Sequence, residues 1–294
     1  MNGLPRLILA PLRGVTVRAF RETFAAPLRE AGFEEAITPF IAANAGYDPL
    51  RDAELRGGRE RAGLALTPQF IGKDPGALRA ALLRIKSAGY ETADLNCGCP
   101  YPMVRNKGRG SGLLRTPEVL RRMLEAGCEA MGPGRFSVKT RLGVERTDEL
   151  LALMPVFNEF PLRFLTVHAR TARQMYEGAC DWAAFEAVRK VAKMPVVRNG
   201  DVAGAVPGEP VMVGRAFVRA LGERPDIGGF LDAYVENSRR ELSGDHAVIG
   251  RVKELLAYWK DLPRWRRLWH VAKLARTCAE IRVWGSGNYG IIRA

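Results

Sequence analysis

Eight short β-rich segments alternate with helical patterns through the first three quarters of the chain, and this alternation constrains the fold more than any other feature. The segments cover 6–11, 35–40, 64–72, 92–97, 136–141, 163–170, 195–200 and 210–215. Several are nearly continuous apolar runs, as expected of parallel strands covered by helices. Between them, 17–24, 75–89, 116–131, 147–160 and 182–192 carry helical patterns. Thr116 before Pro117 reads as an N-cap followed by proline at the first helical position, and Gly89 reads as a helix stop. Eight strand–helix repeats predict an α/β fold, a (β/α)8 TIM barrel spanning residues 1–225. One unit is abnormal. Only 201–209 separates the seventh strand from the eighth, whereas a parallel crossover takes about 10–12 residues or more and usually a helix. Either the barrel is thinned locally or the eighth strand is shifted.

After residue 226 the pattern becomes helical throughout. The stretches 227–242, 246–263 and 265–285 predict a small helical bundle over 226–294, broken at Gly244 and Pro263. From Arg251 onward ten basic residues face three acidic ones, Glu254, Asp261 and Glu280, in a chain whose net charge is +13. Such a tail is either a polyanion-binding surface or a solubilising face. Trp259, Trp265, Trp269 and Trp284 also lie here and read as bundle core in preference to base-stacking platforms.

Apolar residues make up 47% of the chain, enough for a sizeable core, yet no run approaches the ~18 residues of a membrane span. Arg6 and Arg13 bracket the first apolar run, which reads as a strand and not a signal peptide. The five cysteines are odd in number and lack disulfide or zinc-knuckle spacing. A reduced, cytoplasmic protein without a metal is the expectation. The Cys97–Cys99 pair, without neighbouring Cys or His, is weak evidence for a metal site.

In a (β/α)8 barrel the working residues project from the C-terminal strand ends. The fourth strand runs into DLNCGCPYPMVRNKGRGSGLL at 94–114. Cys99 follows the strand end and precedes a proline, which puts its thiol on a loop at the barrel mouth. At an ordinary pKa of about 8.5 that thiol is a proton donor at neutral pH. Glycines give the loop freedom to move, and Arg105, Lys107, Arg109 and Arg115 suit a lid over phosphates. The seventh and eighth strands end in Asn199-Gly200-Asp201 and Gly214-Arg215, where barrels often hold a phosphate.

The 94–114 stretch resembles the signature of the tRNA-dihydrouridine synthase family through Asn96, Gly98, Cys99, Pro100, Val104, Gly108, Gly110, Gly112, Leu113 and Leu114. The likeness runs along nearly the whole chain, with Leu12 standing where the family usually has Met. It implies FMN as cofactor, NADPH as reductant, a tRNA partner and a monomeric enzyme that reduces uridine to dihydrouridine. Cys99 would be the catalytic acid. Pro11, Leu12, Arg13, Gln69, Asn96, Lys139 and His168 would contact the flavin, with Asn199, Gly200, Asp201, Gly214 and Arg215 around its phosphate. Arg105, Lys107, Arg109, Arg141 and Arg170 would meet RNA. Two other readings stay open: an FMN barrel reductase of a small pyrimidine or enone, and a non-catalytic RNA-binding protein on the same fold.

Overall fold

The computed structural model describes residues 4–55, 60–61 and 63–282. Every expected strand is present. The strands are β1 Leu7–Leu9, β2 Glu35–Ile37, β3 Ile41–Ala42, β4 Glu60–Arg61, β5 Leu64–Thr67, β6 Gln69–Ile71, β7 Ala93–Cys97, β8 Phe136–Gly143, β9 Leu165–Thr171, β10 Val196–Asn199 and β11 Val211–Val213. The run expected at 64–72 is cut at Pro68, which has no N–H for a ladder. Its first arm, β5, pairs with β2, and its second arm, β6, pairs with β7. Because the two arms are one stretch of chain, the order β6-β7-β8-β9-β10-β11-β1-β2-β5 closes on itself. The parallel barrel therefore forms as expected. The short β3 and β4 are additions at the rim of the third segment, and β4 pairs antiparallel.

The barrel interior is layered. Near the N-terminal strand ends, Arg163 donates two hydrogen bonds to buried Glu35, at 2.8 and 2.7 Å. Above them Ile8, Ile37, Phe164, Val197 and Met212 form an apolar plug. A second, larger core lies between the sheet and the surrounding helices.

Those helices are α1 Arg18–Thr23, α2 Ala25–Glu30, α3 Pro75–Ser87, α4 Pro102–Arg105, α5 Pro117–Met131, α6 Glu149–Phe157, α7 Trp182–Val191 and α8 Arg215–Glu223. Asp74 and Asp181 cap α3 and α7 through the amides of Ala77 and Ala184. Thr116 does not cap α5: its hydroxyl donates back to the Leu113 carbonyl instead. Gly89 takes φ +89° just past α3, where a side chain would be strained.

Residues 201–209 form no helix, yet β10 and β11 pair in register, Arg198 with Val211 and Asn199 with Met212. The barrel is thinned and the eighth strand is where the sequence puts it. Charge fastens the short connection. Arg198 binds Glu209 and Glu186 at 2.7 and 2.9 Å, and its guanidinium lies over Trp182 and Phe185.

The C-terminal helices are α9 Phe230–Arg239, α10 Asp245–Leu256, α11 Pro263–Leu274 and α12 Ala279–Arg282. Trp259 and Trp265 are buried and donate to the Val218 and Gly222 carbonyls of α8, at 2.6 and 2.7 Å. They are core, as expected. Trp269 is half-buried under Lys273, and Trp284 lies outside the described residues. The single helix expected at 265–285 is split. Glu280 accepts from the Thr277 amide and hydroxyl, one half of a capping box, where the chain restarts as α12. Among the described residues no helix is long and apolar enough to cross a membrane.

Candidate active site

A cavity of about 350 Å³ opens at the C-terminal strand ends, within the ~300–1,000 Å³ range of small-molecule sites. The segment after β1 (Ala10, Pro11, Leu12, Arg13) forms one wall, and Asn96, Gly98, Cys99, Pro100 and Tyr101 after β7 form another. Lys139 and Arg141 come from β8, His168 from β9, Asn199 and Gly200 from β10, and Gly214 and Arg215 follow β11. Among the described lining residues four are Lys or Arg and none is Asp or Glu. The cavity is thus an electropositive slot suited to an anion-bearing ligand.

Cys99 is 7% exposed and lines this slot. Burial pushes its thiol up, while Arg141, Arg13 and Lys139 pull it down; the net shift is upward. The sulfur therefore keeps its proton at neutral pH. The loop is fixed from below. Asn96 Oδ1 accepts from the amides of Gly98 and Cys99, at 3.1 and 2.9 Å, and Ser111 donates to the Cys99 carbonyl at 2.9 Å. Gly110 adopts φ +57°, and a Cβ there would lie 2.8 Å from the Cys99 Cβ. Gly112 presses on the Arg105 carbonyl, which a Cβ would meet at 2.3 Å. These glycines make the loop compact; the freedom to move expected of them is not what the packing uses. Cys97 is fully buried in the hydrophobic core and takes no part in the lining.

Lys139 donates to Asn199 Oδ1 at 2.8 Å, and Asn199 donates to the Met212 carbonyl at 2.7 Å. Burial, then the charge of Arg141, lowers the ammonium to about 7, with Asp94 pulling the other way. His168 is held well below its ordinary value by burial and by Arg141, Lys139, Arg170 and Arg215, so it is neutral. Arg170 can only donate, so the contact of its Nη1 with His168 Nε2 at 3.3 Å makes Nε2 the acceptor and Nδ1 the protonated nitrogen. The hydroxyl of Thr166, beside Lys139 in the sheet, is buried with no partner among the described residues.

Of three residues expected to touch ligands, Gln69 and Arg170 lie outside the lining, and Arg141 lines the cavity with its guanidinium bound to protein carbonyls. Gln69 is fully buried beneath the cavity, its amide engaged by Asp94 and Asn96 at 2.8 Å each. Arg141, expected to meet RNA, is 2% exposed and donates to the carbonyls of Gly98, Thr171 and Met175. Arg170, also 2% exposed, is bound by Asp201 and the carbonyls of Glu177 and Gly178. Both arginines tie loops together, because a guanidinium has five donors and the loops have unpaired carbonyls. Asp201 lies outside the lining and pairs with Arg170 and Arg215. Of the lid cations, Lys107 and Arg109 are exposed and Arg105 is half-buried.

Comparison with known proteins agrees with this geometry. The family model for dihydrouridine synthase matches residues 8–214. The chain belongs to the dihydrouridine synthase family. A tRNA-dihydrouridine(16) synthase of Ralstonia nicotianae is 30% identical over 290 residues, covering 87% of each chain. One from Pseudomonas putida is also 30% identical, over 76% of this chain and 72% of its own. In fold, the chain is similar to the old yellow enzyme homologue of Zymomonas mobilis, with TM-score 0.50 and 14% identity over 72% of this chain and 85% of that one.

Four aromatic residues that line the cavity of this family member escape the sequence reading, Phe40, Tyr101, Tyr176 and Tyr258, and the last two come from farthest outside the strand ends. Tyr176 lies in the loop after β9, its ring 5.3 Å from the Arg141 guanidinium and 4.4 Å from that of Arg215. Met175 holds φ +50°, a left-handed conformation, and its carbonyl takes a bond from Arg141 at 2.7 Å. That clamp turns Tyr176 toward the slot. Tyr258 follows α10 and brings the C-terminal helices to the cavity edge. Neither tyrosine carries a spacing signal. Each reaches the site only through the tertiary fold.

Proposed function

We propose that this enzyme reduces uridine to 5,6-dihydrouridine in the tRNA D-loop, using FMN and NADPH. The observation that carries the reading is the Cys99 thiol, which burial pushes toward its protonated form, lining a slot whose described residues include four cations and no carboxylate. The residues present fit a flavin phosphate. Close packing keeps both strand-end positions glycine: a Cβ on Gly214 would lie 3.0 Å from the Ala10 Cβ, and one on Gly200 would meet the Cys180 sulfur at 2.6 Å. Beyond Gly214 the first-turn amides of α8 have no partner within the helix, and a helix N-terminus attracts anions. Arg215 stands beside them. Lys139, His168, Asn96 and the backbone of Pro11, Leu12 and Arg13 would hold the ring system.

When bound, FMN supplies hydride-transfer chemistry between NADPH and carbon 6 of the uracil. The protein supplies the rest. Cys99 keeps a proton on Sγ and gives it to carbon 5. Asn96 holds the Cys99 loop. Lys139 offers positive charge to an electron-rich ring, as electrostatic stabilisation requires. Tyr176 presents an aromatic face, pinned by Arg141 and Arg215, on which a flipped base can stack. The relatives named for position 16 support that uridine as the target.

The test has two arms. Purified protein should be yellow and release FMN on denaturation, and RNA from a deletion strain should lose one dihydrouridine by mass mapping. Cys99→Ala should bind flavin and oxidise NADPH normally while dihydrouridine formation falls by about 10²–10⁴. Full activity in that variant, or a colourless protein that binds no FMN, removes the assignment.

A further inference from the structure

A wholly buried carboxylate lies below the slot with no place yet in the chemistry. Asp94, on β7, is fully buried. Ser137 donates to its Oδ1 at 2.6 Å, and Gln69 Nε2 donates to its Oδ2 at 2.8 Å. Gln69 Oε1 accepts from Asn96 Nδ2 at 2.8 Å, and Asn96 Oδ1 accepts from the Cys99 amide at 2.9 Å. The sheet register makes this chain of bonds possible. Gln69 and Asp94 are lateral partners on β6 and β7, and so are Asp94 and Ser137 on β7 and β8. Asn96 follows Asp94 by two residues, on the same face of β7.

The direction of every bond follows from one end. An ionised carboxylate only accepts, so Gln69 must aim its NH₂ at Asp94 and its oxygen at Asn96. Asn96 must then aim its NH₂ at Gln69 and its oxygen at the loop amides. Turn Asn96 over, and its NH₂ faces the N–H groups of Gly98 and Cys99; turn Gln69 over, and its oxygen faces the Asp94 carboxylate while its NH₂ faces that of Asn96, each a costly arrangement in a buried site. We infer that Asp94 is a positioning residue for Cys99, acting through Gln69 and Asn96 to fix the loop that carries the thiol. Burial raises its carboxyl to about 6, against the pull of Ser137, Gln69 and Lys139, so it is ionised at neutral pH. The inference rests on Cys99 as the proton donor, but its test reads the thiol's position separately.

The experiment measures two things in the flavin-loaded protein: the alkylation rate of Cys99 by iodoacetamide, followed on its peptide by mass spectrometry, and turnover on tRNA. Asp94→Ala should raise Cys99 alkylation and lower kcat by about 10²-fold, as a misplaced reacting group does, with KM for tRNA and NADPH-driven flavin reduction unchanged. Asp94→Asn should stay close to wild type, because its oxygen can face Gln69 while its NH₂ finds the rotatable Ser137 hydroxyl. Wild-type alkylation and turnover in Asp94→Ala overturn the inference, as does an Asp94→Asn protein impaired as badly as Asp94→Ala.

Should Asp94→Ala not fold, an isosteric pair decides. Asn96→Asp alone makes the chain of bonds inconsistent and should change Cys99 alkylation. Asp94→Asn combined with Asn96→Asp reverses both bonds of Gln69, keeps an acceptor under the Cys99 amide, and should bring alkylation back. A double variant no closer to wild type than Asn96→Asp overturns the inference. If instead Cys99→Ala retains turnover, the proton-donor reading fails while the alkylation results still report the role of Asp94.

Discussion

Lys139 shows how a single residue ties the site to pH. A lysine ordinarily titrates near 10.5, and burial with Arg141 nearby brings this one to about 7. Between those values the unfolded chain holds a proton that the folded chain lacks. Its contribution to stability therefore falls as pH drops from about 10.5 to about 7 and is level below. An anionic ligand beside it should restore the proton. At pH 8 the FMN phosphate is already dianionic, its second pKa being about 6, so proton uptake on binding reports Lys139. Calorimetry in two buffers of different ionisation enthalpy should find that uptake in the native protein and lose it in Lys139→Met. Undiminished uptake in the variant would falsify the role of Lys139. The residue-level site was largely legible because strand ends announce it: Cys99, Asn96, Lys139, His168, Asn199 and Arg215 all line one cavity. The surroundings of the arginines were not legible, because sequence shows a charge but not the carbonyls it faces. Arg141 and Arg170 look like Lys107 and Arg109 in a string of letters, yet only the latter two are exposed.

At the scale of elements, the 100–115 segment is the one whose sequence meaning changes most. Its glycines look like hinges and act as close contacts. Gly110→Ala puts a side chain at φ +57° and 2.8 Å from the Cys99 Cβ. The left-handed conformation costs about 1–2 kcal/mol and the overlap about 1–3 kcal/mol. Gly127→Ala is the matched control: it drives a Cβ to 2.1 Å from the Phe136 ring, far from the thiol. Both variants should melt several degrees lower, but only Gly110→Ala should lose turnover beyond its loss of folded protein. Equal activity per folded molecule in the two would sink the claim that Gly110 seats Cys99. The broken third strand and the split last helix follow the same lesson. Pro68 and the Thr277/Glu280 pair were visible in sequence, but whether a proline interrupts a ladder, or a capping pair starts a new helix, depends on what packs beside it.

For the whole molecule, the barrel was readable because eight apolar runs of parallel-strand character leave few other closed arrangements. The C-terminal helices were readable as helices, and their docking was not. It depends on Gly222 admitting the Trp259 ring, where a Cβ would lie 2.4 Å from the indole. Charge is the property that spans the molecule, and it divides by burial. Lys107 and Arg109 stand exposed on the loop that carries Cys99, and Arg266 is exposed on α11. Exposed cations that neutralise phosphates release counterions, so each should contribute about one unit to the slope of log affinity against log salt. Arg141 and Arg170 are committed to carbonyls and Asp201 and should contribute nothing to that slope. Filter binding of tRNA across a salt series should therefore show a shallower slope for Lys107→Ala and Arg109→Ala. The slope should stay native for Arg170→Ala, whose melting temperature should fall instead, because Asp201 and the carbonyls of Glu177 and Gly178 lose the guanidinium that ties them together. An Arg170→Ala protein with native stability and a reduced slope would mean that this guanidinium faces RNA after all, and that the loop it ties opens when tRNA arrives.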